Sequence, residues 1–139
     1  MWYNQFMKQK PMITVVAALI WQGDKFLACR RPANKARALL WEFVGGKVEA
    51  GESKEAALAR ECMEELALPV TVGREYLHTV HDYDDVTVDL TLFHAVTDAQ
   101  PQCLEHAELR WVTPKQVDEL EFCPADKPIL QQIKKDYCS

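Results

Sequence analysis

The stretch from Gly45 to Pro69 constrains this chain more than any other. Its middle, Ser53 to Leu66, reads S-K-E-A-A-L-A-R-E-C-M-E-E-L. Strong helix formers follow a serine N-cap, and Pro69 forbids continuation. At about 100° per residue, Glu61, Glu64 and Glu65 fall within about a third of the helix circumference. Ala56, Ala59, Met63 and Leu66 lie opposite, which predicts that they pack on a sheet while the carboxylates point away. Like charges at these spacings cost roughly 0.2–0.5 kcal/mol per pair, and no lysine in the last turn offsets them. Such a cluster suits a hard divalent cation, because Mg²⁺ takes oxygen ligands octahedrally and keeps waters and substrate phosphates in its remaining positions. Ahead of the helix, Gly45-Gly46 lets backbone carbonyls approach a ligand, and can add an oxygen to the same site.

The rest of the chain supplies a frame for this helix. Ile13, Val15, Ala17, Leu19 and Trp21 alternate along a strand, Gly23-Asp24 turns the chain, and Lys25 to Arg31 returns as a hairpin. A polar loop (32–37) and a short strand (40–44) lead to the glycine pair. Strand patterns at Val70–Val80 and Val86–Val96 predict an antiparallel pair, joined by an acidic turn containing Asp82, Asp84 and Asp85. Leu109–Val112 is a further short strand. Thr113 with Gln116 forms a capping box before a short helix to about Leu120, and a last helix covers Asp126 to Tyr137. No repeat or linker interrupts this order. The expectation is one α+β domain over residues 12–139, preceded by a leader over 1–11.

Charge and cysteine usage narrow the partners. Sixteen Lys and Arg stand against 21 Asp and Glu, a net charge of -5 with histidines neutral, and the basic residues are scattered. Such a surface repels polymeric nucleic acid, although small anions remain accessible through a bridging metal. The five cysteines include no C-x-x-C pair, which fits a reduced, cytoplasmic protein. The longest apolar run, Val15 to Trp21, is too short to span a bilayer. The Asp82–Asp89 segment lacks the glycine of a calcium loop, and the four histidines show no metal-ligand spacing.

Gly46, Glu52, Arg60, Glu61, Cys62, Glu64, Glu65 and Leu68 match the Nudix box, G-x5-E-x7-R-E-U-x-E-E-x-G-U with U apolar. Ala67 stands where the family has glycine; a right-handed local conformation would accept it. The chain resembles the MutT-like branch of that family over nearly all its length after Met12. Arg30-Arg31-Pro32, Trp41-Glu42-Phe43, Gly45-Gly46-Lys47, Glu105 before Trp111, and Pro124-Ala125-Asp126-Lys127-Pro128 look like that branch's landmarks. The fold implied is an α/β/α sandwich around a mixed sheet.

The resemblance also implies a chemistry: Mg²⁺-dependent hydrolysis of a nucleoside triphosphate to monophosphate and pyrophosphate, with Mn²⁺ as a substitute and removal of damaged nucleotides as the purpose. The metal ligands it implies are Glu61, Glu64 and Glu65, the Gly45 carbonyl, and Glu105, which completes the site or acts as general base. Arg60 would pair with Glu52 or a ligand glutamate, and Arg31 would bind phosphate through its forked guanidinium. Glu42, Phe43, Tyr83 and Asp126 fall where the branch lines its base pocket. Asparagine occupies the Asp126 position in enzymes selective for oxidised guanine; an ionised aspartate only accepts hydrogen bonds, which casts doubt on that selectivity. A similar Pro-Ala-Asp pattern occurs in Nudix enzymes acting on cytidine nucleotides. Asp126 can alternatively cap the last helix. The rival readings are hydrolysis of sugar or dinucleoside diphosphates and a non-catalytic nucleotide sensor, as a monomer or homodimer.

Overall fold

The computed structural model describes residues 10–138, so most of the leader lies outside the described residues. Its strands are β1 (Met12–Gln22), β2 (Lys25–Arg30), β3 (Trp41–Glu42), β4 (Gly45–Lys47), β5 (Thr71–Asp82), β6 (Thr87–Val96) and β7 (Glu108–Val112). Two α-helices follow the expected positions, α1 (Lys54–Leu66) and α2 (Lys127–Tyr137), and the capping-box segment is a 3-10 helix over Pro114–Glu119.

β1 organises the sheet. Its end pairs antiparallel with β2 through Trp21 opposite Phe26, its middle pairs antiparallel with β4, and residues 12–20 run parallel to β6. β5 and β6 pair antiparallel as expected, with register shifts near Glu75. A strand with a parallel neighbour is covered on both faces, and the side-chain alternation shows it. Ile13, Val15, Ala17, Leu19 and Trp21 join the core that includes Ile129, Leu130 and Ile133 of α2. Val16, Ala18 and Ile20 join the core that includes Ala57, Leu58, Cys62 and Leu66 of α1. The layers are therefore helix, mixed sheet, helix. Truncating a fully buried side chain such as Leu58 to alanine costs on the order of 2–5 kcal/mol.

The expected facing of α1 needs correction. The buried residues are Ala57, Leu58, Cys62 and Leu66, while Ala56 is exposed and Met63 is 50% exposed. The contact stripe is rotated toward the acidic side, so Glu61 and Glu65 flank the packed face instead of pointing away from it. Cys62, read from sequence only as an apolar member of the box, marks the centre of that stripe.

Ala67 also departs from expectation. It adopts the left-handed conformation, with φ 49° and ψ 39°. Its N–H donates to the Met63 carbonyl at 3.0 Å, and Leu68 N–H donates to Cys62 at 3.2 Å, which closes the helix end. The turn keeps the geometry that favours glycine because buried Leu68 must return to the core.

Candidate active site

Close packing builds the loop before α1. A Cβ on Gly45 would lie 1.9 Å from the Val16 carbonyl oxygen, and one on Gly46 would lie 2.4 Å from Glu61 Cδ. Neither glycine has a positive φ. Their lack of a side chain serves the approach of β4 to β1 and of Glu61 to β4.

Arg60 ties the loop to the helix. Its Nε and Nη2 donate to the two oxygens of Glu52 at 2.7 and 2.9 Å, Nη2 also donates to the Lys47 carbonyl at 3.1 Å, and Nη1 donates to Glu61 at 2.9 Å. The hydrogen bonds from Arg60 hold Glu52 at a pKa of about 2. Glu64 also faces Arg60 at 3.3 Å, but it is more than half exposed and lies off the cavity wall.

Beside this network opens a cavity of about 480 Å³. One end is acidic: Glu61, Glu65 and Glu105 line it together with Gly45. Burial drives Glu65 up to a pKa of about 8, with Glu61, Glu42 and Glu105 adding to the effect, and burial also raises Glu61 against the pull of Arg60. Glu65 Oε1 is buried with no hydrogen-bond partner among the described residues. Like charges crowded around an unfilled carboxylate acceptor are a donor set for a hard divalent cation. Among the described residues no three acidic, histidine or cysteine side chains already form a metal cage, since Arg60 draws Glu61 and Glu64 toward itself.

The other end is largely apolar. Ile13, Val15, Phe43 and Leu90 line it, and Asp126, 5% exposed, forms part of the same wall. Phe43 is a core aromatic as well, stacked on Phe26 at 5.5 Å. Tyr83 hydroxyl accepts from the Ala125 N–H at 2.9 Å, and the Arg37 guanidinium covers the ring at 3.6 Å from its centroid. A nucleobase cannot take the face that Arg37 holds.

Asp126 does not cap α2: its side chain makes no cap hydrogen bond and its backbone is helical. Burial, followed by the charge of Glu42, raises its pKa well above the ordinary range. The shift is toward the neutral acid, which offers one donor and one acceptor. Burial disfavours the charge that a purely accepting aspartate would carry.

Arg31 reaches the cavity from the loop after β2. It donates to the Ala36 carbonyl at 2.8 Å and to Glu42 Oε1 at 2.9 Å, so Glu42 is an ion-pair partner for Arg31 in addition to lining the pocket. On the far side of Glu42 sits His106, which was missed in the sequence. Its side chain is 4% exposed, and its Nε2 lies 3.4 Å from Glu42 Oε2 and 3.6 Å from Glu65 Oε1. The rules for metal spacing overlook a lone histidine, and only its place directly after Glu105 pointed to the site.

These features define a class. The NUDIX domain model matches residues 15–132, and the chain belongs to the Nudix family of hydrolases, whose members act on nucleotide derivatives. Among its relatives, the chain is 40% identical to the CTP pyrophosphohydrolase of Escherichia coli over 122 residues, 86% of this chain and 90% of that protein. It is 35% identical to a putative 8-oxo-dGTP diphosphatase 2 of Mycobacterium tuberculosis, over 81% of this chain and 82% of that one. The crystal structure of a MutT protein from Methanosarcina mazei superposes with a TM-score of 0.85 at 25% identity, covering 96% of this chain and all of that one (100%). No helix among the described residues is long and apolar enough to cross a membrane.

Proposed function

We propose that the chain is a Mg²⁺-dependent nucleoside triphosphate pyrophosphohydrolase that releases a nucleoside monophosphate and pyrophosphate, with Mn²⁺ able to replace Mg²⁺. The observation that carries this reading is the two-ended cavity, with Glu61, Glu65 and Glu105 at one end and buried Asp126 at the other. Such a cavity accepts a molecule that is a polyanion at one end and a flat heterocycle at the other.

Glu61, Glu64, Glu65 and the Gly45 carbonyl would hold a divalent cation, which would supply charge neutralisation and water activation at the phosphates. The protein's own groups do the rest. Arg60, anchored on Glu52, fixes the direction of Glu61. Arg31 offers its remaining N–H groups to the phosphate chain. Glu105, on an exposed loop, would either complete that donor set or take the proton from the attacking water.

At the base end, neutral Asp126 pairs with an edge that carries an acceptor beside a donor. Cytosine presents such an edge, with N3 accepting and the N4 amine donating. The name of the 40% identical relative supports the same base. Damaged bases with that edge would enter by the same contacts, which fits a role in cleansing the nucleotide pool. On this reading residues 12–139 are the domain and 1–11 its leader, in a cytoplasmic setting, working as a monomer or homodimer.

The test is a panel of normal and oxidised nucleoside triphosphates with Mg²⁺, read as pyrophosphate release. CTP or dCTP should rank above the purine triphosphates. Cleavage of a sugar diphosphate with no triphosphate turned over would sink the proposal.

A further inference from the structure

His106 occupies a position that neither the metal chemistry nor base recognition accounts for. It is almost fully buried between two carboxylates, and its Nε2 faces Glu42 Oε2 at 3.4 Å and Glu65 Oε1 at 3.6 Å. Its Nδ1 is buried with no partner among the described residues, so Nε2 is the ring atom that meets polar groups. The loop that carries it is fixed, since Ala107 N–H donates to the Arg30 carbonyl at 2.8 Å and the Cys103 thiol donates to the His106 carbonyl at 3.2 Å. The imidazole is thereby held at the seam between the acidic end of the cavity and Glu42.

Glu42 gives the seam its meaning. Its Oε1 accepts from Arg31 at 2.9 Å, so Arg31, Glu42, His106 and Glu65 form a continuous row. The charges of Glu42 and Glu65 oppose each other, and Glu42 is among the groups that raise Glu65. An N–H between two carboxylates offsets their repulsion, and at 3.6 Å from Glu65 Oε1, a buried oxygen with no hydrogen bond among the described residues, it stands one small side-chain shift from donating to it.

We propose that His106 is a positioning residue: its Nε2–H orients Glu65 toward the metal and couples that carboxylate, through Glu42, to the phosphate-binding Arg31. The inference rests on the metal reading of Glu65 given above. Groups that hold a metal ligand from behind typically change metal affinity by about 10–100-fold when removed.

The experiment measures Mn²⁺ binding to the protein without nucleotide, from the electron paramagnetic resonance signal of free Mn²⁺, in wild type, His106→Ala, His106→Gln and Glu65→Gln. Thermal melts and separate kcat and KM values accompany it. We expect His106→Ala to weaken Mn²⁺ about tenfold and to lower kcat by more than it changes KM. His106→Gln, which can return an N–H near the Nε2 position, should recover most of both. Wild-type Mn²⁺ affinity in His106→Ala, with binding lost in Glu65→Gln, would overturn the role of His106 alone. Losses that follow only a lowered melting temperature, with no rescue by glutamine, would also overturn it in favour of packing. Wild-type binding by Glu65→Gln would overturn the metal reading, and this proposal with it.

Discussion

Arg60 and Glu52 meet fork to fork, with two nitrogens on two oxygens at 2.7 and 2.9 Å. The pair joins the loop after β4 to the middle of α1, and the same guanidinium reaches Glu61. A planar fork makes that geometry, and a lysine ammonium cannot reproduce it. Arg60→Lys should therefore keep the charge yet lose the alignment. The expected result is a lowered melting temperature and a fall in kcat/KM of about tenfold or more. Unchanged turnover would mean that Glu61 does not depend on Arg60 for its direction.

The acidic end predicts a particular pH dependence for the metal-free protein. Glu65 is raised to about 8, so its neutral form is favoured in the fold. That contribution is present below the ordinary carboxylate value and is lost as pH rises through about 8. Glu52 works the other way: held at about 2, it contributes above the ordinary value and fades as pH falls toward 2. Between pH 6 and 9 the metal-free protein should lose on the order of 2 kcal/mol, or roughly 5 °C in Tm. Mg²⁺ should restore more at pH 9 than at pH 6. Calorimetry with and without chelator checks it, and equal melting at both pH values would count against the burial of Glu65.

The two glycines should separate folding from chemistry. Gly45→Ala drives a Cβ into the Val16 carbonyl, a backbone atom that cannot yield, and should disrupt β1 pairing. Gly46→Ala meets the carboxyl of Glu61, a side chain that can swing away. It should stay folded by circular dichroism while losing most activity. The reverse pattern would contradict the packing described.

Ala67 offers a gain. A residue with a Cβ in the left-handed region is strained, so Ala67→Gly should stabilise the protein by about 0.5–1 kcal/mol, roughly 2–4 °C in Tm. Activity should not change. A lower Tm would show that the αL turn is not under strain.

Asp126 can be tested by its protonation. A neutral acid and an amide present the same pair of groups, so Asp126→Asn should keep the base ranking, while Asp126→Ala should lose it. In wild type, KM for the preferred triphosphate should rise at high pH as the buried acid ionises. That limb should be flat in Asp126→Asn. A complete switch of base in the asparagine variant would mean that the aspartate works ionised.

Much of this was legible in the sequence because it is written in local patterns. The alternation from Ile13 to Trp21, the Ser53 cap and the box residues sit within one or two turns or strands of each other, where spacing translates directly into facing. The misses have a common cause. Burial of Met63 against burial of Cys62, the left-handed turn at Ala67 and the raised pKa of Asp126 depend on what lies across the core. His106 and Glu42 are 64 residues apart in sequence and meet only through the pairing of β2 with β3 and β7. No spacing rule within a segment reaches that far.

The odd and even residues of β1 look into different cores, and both sets reach the wall of the cavity. Ile13, Val15, Val16 and Ala17 all line it, with Ala17 opposite Gly45 in the β1–β4 pair and Ile13 opposite Val88 of β6. One strand thus serves two cores and one cavity. Of its odd positions on that wall, Ile13 stands furthest from Gly45, so the apolar wall of the pocket can be reshaped from that end of the strand with least disturbance to the carboxylates.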